Sequence, residues 1–312
     1  HDEAVANYRK LFNLPESHAV LFLQGGASGQ FAMVPMNLLG AGQTADYTHS
    51  GAWASKAIKE AQIIGSVHIA ADTSKAAPAR VPRVDELKLT PGAAYVHITT
   101  NETIGGTQWK DFPKTESPLV ADMSSDILSR PLDVSKFGLI FAGAQKNIGP
   151  SGVTVVIVRK DLAERAAESL PTMMQYRTHI KEGSMFNTPP TYAIYIALLV
   201  FEWMLENGGV SAMQKVNEQK AAILYDAIDA TDFYTCPIPK ADRSTMNVVF
   251  RIKGNNEELE KKFIGEAEKN KLCTLKGHRS AGGLRASIYN AFPVEGVEAL
   301  VDFMKDFANK NG

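Results

Sequence analysis

Cysteine is nearly absent: a chain of 312 residues has two, Cys236 and Cys273. They lie far apart and fit no metal or redox spacing. A disulfide framework is therefore excluded, and a reduced, cytoplasmic setting is expected. An excess of one charge is missing too. Lysine and arginine number 33 against 34 acids, a formal net charge of −1. With both signs interspersed, that balance argues against an extended polyanion-binding surface and leaves room for a local basic pocket. No nucleic-acid or membrane partner is expected. There is no signal-peptide pattern and no apolar run of bilayer length. The most apolar stretch, Thr191 to Leu205, is short and bounded by Glu206 and Gly208, so it reads as a buried helix. Asn101-Glu102-Thr103 matches a glycosylation acceptor that stays idle without secretion. His1, His18, His49, His68, His97 and His179 show no ligand spacing, so no metal is expected. Neither a Walker loop nor a GxGxxG fingerprint occurs.

What is present is alternation. Apolar, β-branched runs (Val20–Leu23, Gln62–Val67, Ala94–Ile98, Leu119–Asp122, Leu139–Ala142, Val153–Val158) predict strands, interleaved with helical segments near Gly29–Leu39 and Ser55–Ala61. Such alternation implies an α/β fold with a mostly parallel central sheet covered by helices. Pro189 and Pro190 introduce a long helix that Gly208-Gly209 ends. The composition then changes. Helices at Val210–Ala230, Glu257–Lys269 and the C-terminus, with strands at Met246–Ile252, Lys271–Leu275 and Leu284–Tyr289, predict a smaller α+β domain. The expected division is 1–206 and 207–312.

Two residues carry a specific chemistry. Lys146 follows the apolar run ending at Ala142 and sits in Gly143-Ala144-Gln145-Lys146-Asn147-Ile148-Gly149-Pro150, a small-residue loop with a Gly-Pro turn. An amine delivered so can form a Schiff base with a carbonyl cofactor. Asp122 ends the run Pro118-Leu119-Val120-Ala121. In parallel sheets ligands gather beyond the carboxyl ends of strands, so both can face one crevice. One imine partner and one counter-ion for a pyridine nitrogen are what pyridoxal phosphate needs. A solvated lysine and a capping aspartate are the plain alternatives.

Other segments are individually weaker. Gly25-Gly26-Ala27-Ser28-Gly29-Gln30 joins a strand to a helix and can cradle a phosphate, or be an ordinary turn. Trp53, among Gly51, Ala52 and Ala54, suits either ring stacking or a core site. Asn101-Glu102-Thr103 closes a strand with polar groups that also suit turns. Gln145 is a phosphate or amide donor. Asn187-Thr188-Pro189-Pro190 reads as a helix cap at Thr188 or as a second phosphate contact. Lys276 to Ser287 gathers cations at a Gly-rich bend. There Arg285 can fork onto a carboxylate and His278 with Arg279 can hold a dianion, or the loop is simply solvated.

Taken together, these segments resemble the phosphoserine aminotransferases, fold-type I pyridoxal-phosphate enzymes of serine biosynthesis, over essentially the whole chain. The Lys146 motif together with Asn187-Thr188-Pro189-Pro190 carries most of the specificity. The resemblance implies that Lys146 is the Schiff-base lysine and Asp122 the pyridine partner. It implies that Trp53 stacks on the ring and Thr103 meets the phenolic oxygen. Ala27, Ser28 and Gln145 would bind the phosphate, with Asn187 and Thr188 reaching it from the neighbouring subunit of a homodimer with shared sites. Arg285 would take the substrate α-carboxylate, and His278 and Arg279 the substrate phosphate across the dimer. The implied reaction is reversible amino transfer between O-phospho-L-serine and 2-oxoglutarate, giving 3-phosphohydroxypyruvate and L-glutamate. Members of that family begin some tens of residues earlier, with a segment covering the site mouth. A shortened or processed chain is thus expected, with substrate binding affected more than cofactor binding. Two alternatives stay open: another fold-type I aminotransferase, such as an alanine–glyoxylate enzyme, and a cofactor-binding but idle dimer.

Overall fold

In the computed structural model, which describes residues 1–312, a helix α1 (Asp2–Phe12) leads into an alternating α/β unit. In chain order come β1 (His18–Leu23), α2 (Gly26–Leu38), β2 (Thr44–His49), α3 (Ala52–Ile64), β3 (Ser66–Asp72) and β4 (Val96–Thr99). A short hairpin, β5 (Asn101–Glu102) and β6 (Thr107–Gln108), precedes β7 (Leu119–Asp122), β8 (Leu139–Gly143) and β9 (Thr154–Arg159). The seven strands of the central sheet run in the order β1-β9-β8-β7-β4-β2-β3. All neighbouring pairs are parallel except those made by β9. Every residue of β7 and β8 is buried, as expected of central strands covered on both faces. Thr99 pairs with Asp122 and Asp122 with Phe141, so the acid lies at the carboxyl edge of the sheet beside the strand that leads to Lys146.

After α4 (Lys160–Ala163) and α5 (Tyr176–Lys181), two long helices follow, α6 (Thr191–Glu206) and α7 (Gly209–Asp229). The remainder is β10 (Tyr234–Thr235), β11 (Asn247–Ile252), α8 (Glu257–Lys269), β12 (Leu284–Ser287) and α9 (Val294–Asn311). Strands β10, β11 and β12 form a separate antiparallel sheet. The core divides along α7. Val210 and Met213 pack with α6 and the central sheet, whereas Ala221, Leu224 and Ile228 join a core drawn only from residues 221–307.

Several expectations need correction. Ile63 and Ile64 close α3 rather than open a strand, and β3 starts at Ser66. Strand β2 carries Asp46, Thr48 and His49 and lacks the apolar signature of its neighbours. Lys271–Leu275 is not a strand, because Lys271 and Thr274 adopt left-handed φ values of 64° and 62°. Thr188 does not cap α6; the helix starts after both prolines, with Pro190 at the cap position. Nor is α6 buried all round: Ala193, Ala197, Phe201 and Met204 face the core, while Tyr192, Tyr195, Leu199 and Trp203 are exposed. No single helix is long and apolar enough to cross a membrane.

One core residue sets a testable acid response. His97 on β4 is buried, neither ring nitrogen has a partner, and the ring stacks on Tyr47 at 4.6 Å. Burial pushes its pKa from 6.5 down to about 3. Between those values only the unfolded chain takes up the proton. Stability is therefore intact at neutral pH and erodes as pH falls below 6.5, by about 1 kcal/mol per pH unit. His97→Phe should flatten this acid limb in urea melts at pH 7 and pH 5. An unchanged slope would assign the acid response to other groups.

Candidate active site

The carboxyl edge of the sheet gathers the chemistry. Lys146 lies three residues past β8, in a tight turn closed by hydrogen bonds from the Lys146 and Gly149 N–H groups to the Ala144 carbonyl (2.7 and 2.8 Å). Its Nζ donates to Thr103 Oγ1 at 3.0 Å and sits 5.7 Å from the centre of the Trp53 ring. Burial lowers the Lys146 pKa, the charges of Asp122 and Asp126 oppose that shift, and Arg285 adds to it. A lowered pKa enlarges the free-amine fraction near neutrality, the form that attacks a carbonyl.

Asp122 ends β7 and is buried. Its Oδ1 accepts the Ser124 N–H at 2.9 Å, while the Ser124 hydroxyl accepts the Gly143 N–H at 3.1 Å. Ser124 thereby ties the turn after β7 to the end of β8. Burial raises the Asp122 pKa, and the Ser124 hydrogen bonds and the Lys146 charge pull it back. A buried carboxyl held up in this way gains from any cation placed beside it.

The opposite wall is the start of α2. Gly25 and Gly26 take φ of 93° and 65°, a left-handed path open to glycine, and turn the chain from β1 into the helix. No side chain caps this end and no acid lies in its first turn. The N–H groups of Gly26, Ala27 and Ser28 thus precede the first intrahelical partner and face an anion-favouring dipole end.

Trp53 opens α3, and its placement depends on a residue with no role legible in its local sequence. Glu102 is buried and accepts the N–H groups of Trp53 (3.1 Å) and Ala54 (3.0 Å), capping the helix from the β5–β6 hairpin. A Cβ on Gly51 would lie 2.7 Å from the Glu102 carboxyl carbon, so glycine is required there. Glu102 follows Asn101 in the motif read from the sequence, yet nothing local marks an acid as a cap for a distant helix.

A cleft of about 160 Å³ brings together Ala27, Ser28, Trp53, Thr103, Asp122, Gln145 and Lys146. The other expected residues lie elsewhere. Arg285 on β12 reaches the cleft's edge, donating to the Thr103 carbonyl at 3.4 Å, and its buried Nε has no partner. His278 and Arg279 are exposed; His278 pairs with the Ser280 hydroxyl at 2.7 Å. Asn187 and Thr188 meet Gln24 instead of Lys146. An uncapped helix start, an amine and a buried carboxyl thus share one cleft, with an indole beside them. This set fits a flat ring bearing a phosphate at one end and a basic nitrogen at the other.

A family model described as aminotransferase class-V matches residues 1–300. A phosphoserine aminotransferase of Geobacillus kaustophilus is 56% identical over 311 residues, covering 99% of this chain and 86% of the relative. The chain belongs to the phosphoserine aminotransferases of the class-V family. The solved phosphoserine aminotransferase from Bacillus circulans subsp. alkalophilus superposes with a TM-score of 0.97 at 52% identity, covering all of this chain and 86% of that one. A pyridoxal-phosphate-bound phosphoserine aminotransferase from Trichomonas vaginalis gives 0.93 at 42% identity, with 97% and 86% covered. As a class-V aminotransferase, this chain is a pyridoxal-phosphate-dependent enzyme with the fold-type I architecture.

Proposed function

We propose that the chain catalyses reversible amino transfer between O-phospho-L-serine and 2-oxoglutarate, with the residues of the cleft in the following roles. The observation that carries this reading is Lys146 Nζ held beside Thr103 in a cleft flanked by a buried Asp122 and an uncapped helix start. Pyridoxal phosphate supplies the carbonyl that condenses with amines and the ring that accepts the electrons released at the substrate Cα. Lys146 would hold the cofactor through Nζ, and its free amine would move the substrate Cα proton as base and then acid. Asp122 would keep a proton on the ring nitrogen. Trp53 would stack on the ring and Thr103 would meet its hydroxyl side. Ala27, Ser28 and Gln145 receive the phosphate.

Arg285, with an unpaired buried Nε, takes the α-carboxylate shared by phosphoserine and glutamate. His278 and Arg279 face solvent, and Asn187 and Thr188 stand away from the Lys146 cleft. All four suit contacts to a partner's site. The exposed apolar side chains Tyr192, Tyr195, Leu199 and Trp203 of α6 supply surface for such a partner. A homodimer with shared sites accounts for both. The proposed boundary between large and small domains lies at 206/207, in the turn between α6 and α7, with the first turns of α7 (Val210, Met213) packing back onto the large domain's core. Unpaired Cys236 and Cys273 suit the cytoplasm.

The test is a spectrum of the holoenzyme before and after addition of phosphoserine, with alanine as control donor. Phosphoserine should convert the visible band to that of the amine form, and 2-oxoglutarate should restore it. Conversion by alanine alone would move the assignment to another aminotransferase. A visible band that no donor alters would leave an idle cofactor-binding protein.

A further inference from the structure

A buried lysine that the reaction does not use lies in α7. Lys220 is fully buried, and its Nζ lies within hydrogen-bond reach of four backbone carbonyls in one turn, donating to Tyr289 (2.7 Å), Phe292 (2.9 Å) and Ile288 (3.1 Å) with Asn290 (3.4 Å) sharing a proton. No carboxylate pairs with it, and burial alone lowers its pKa to about 8. A buried cation without a counter-ion is costly, and an apolar side chain of equal volume would ordinarily serve folding as well. What the cation does here is draw four carbonyl dipoles inward and fix the 288–292 turn.

That turn follows β12, the strand of Arg285, and holds Asn290. Asn290 is buried and touches both loops of the cleft. Its N–H donates to Asn147 Oδ1 at 3.0 Å, next to Lys146, and its Nδ2 donates to the Leu128 carbonyl at 2.9 Å. Asn147 Nδ2 donates in turn to the Ile127 carbonyl at 2.9 Å, and Leu128 sits at a left-handed φ of 63°. From α7, Asn217 donates to Asn290 Oδ1 at 2.8 Å and to the Ser129 carbonyl at 3.1 Å. The bonds run without a gap from Lys220 through Asn290 to the segment after Asp122 and the loop of Lys146.

We infer that Lys220 is a positioning residue: by gathering the 288–292 turn, its ammonium sets Asn290 and thereby the register of Lys146 against Asp122 and Arg285. This rests on the reading of Lys146 and Asp122 as the reacting pair. It assigns the small domain a part in aligning the amine as well as in binding substrate.

The test compares Lys220→Ala, Lys220→Met and the parent enzyme. In holoenzyme, kcat should fall about tenfold to a hundredfold in both variants, the range expected for displacing a reacting group by up to an ångström. Added ammonium or methylammonium should restore Lys220→Ala, whose carbonyl cage is then open. It should not restore Lys220→Met, whose side chain fills the cage. Tetramethylammonium, which has no N–H, should rescue neither. Independently of turnover, hydrogen exchange in the cofactor-free protein should lose protection at residues 144–149 in both variants and regain it with ammonium in Lys220→Ala. The exchange readout needs no amino donor, so it separates failure of this inference from failure of the substrate assignment. Variants with parental kcat and protection at 144–149 would overturn it, as would lost thermal stability with kcat per folded molecule unchanged. If Lys220→Ala does not fold, Lys220→Met decides by the same kcat and exchange criteria.

Discussion

Lys146→Ala should leave a folded protein that no longer retains its cofactor through reduction by borohydride. Lys146 is the only amine lining the cleft, while Lys56, whose Nζ lies 4.2 Å from the Trp53 ring centre, is outside that lining, so attachment is expected at Lys146 alone. The fold should survive. The Lys146 side chain makes one side-chain hydrogen bond, to Thr103, and its burial opposes its charge. Removing a partly desolvated ammonium costs little of the core. Turnover should fall on the order of 10⁴-fold, the upper end of what a positioned proton-transfer group contributes, with loss of the anchoring bond adding to it. The measurement is the mass of the reduced protein, together with the initial rate with phosphoserine. A cofactor mass retained on the Lys146→Ala chain, with transamination intact, would remove the basis of the proposed function. Added primary amines should recover part of the proton-transfer rate but not the attachment.

The parts of this site most legible in the sequence were those whose chemistry sits at the end of an apolar strand. Lys146 and Asp122 each follow a run buried on both faces, so local pattern alone places them at the sheet's carboxyl edge. The Gly25-Gly26 turn is legible for a related reason, since a glycine pair between strand and helix signals a path that other residues resist. What escaped is held by distant partners. Strand β2 hides Asp46 at full burial because His68 and Thr90 bond to it from other segments, so its polar letters look like a loop. Ile63 and Ile64 look like a strand because both are β-branched, yet they finish a helix whose buried face is Ala54, Ala57, Ile58 and Ala61. Glu102, Asn147, Asn290 and Lys220 act across long sequence separations, where periodicity carries no information. The apolar letters of α6 predict burial, but the helix has one buried face and one exposed apolar face, and composition does not distinguish a core from a surface awaiting a partner.

Asp122→Asn should keep the protein folded and loaded while slowing the proton-transfer half-reaction on the order of a thousandfold, comparable to losing a preorganised electrostatic contact at a reacting centre. The substitution preserves shape and can still accept the Ser124 N–H at the remaining oxygen. It removes the charge. That charge is expensive in the protein alone, because burial raises the Asp122 pKa and only Ser124 and Lys146 offset it. Thermal stability of the cofactor-free variant should therefore equal or exceed the parent's. The cost should appear only in the reaction. An amide cannot hold a proton on a ring nitrogen whose pKa a carboxylate would raise, so electrons leaving Cα find a weaker sink. Rapid mixing with phosphoserine separates the outcomes: kcat should collapse while KM moves within a few-fold, since Arg285, His278 and Arg279, not Asp122, are assigned the substrate's anionic groups. A parental rate constant for this half-reaction in Asp122→Asn would show that the ring needs no carboxylate partner, and Asp122 would then be a buried turn acid held by Ser124.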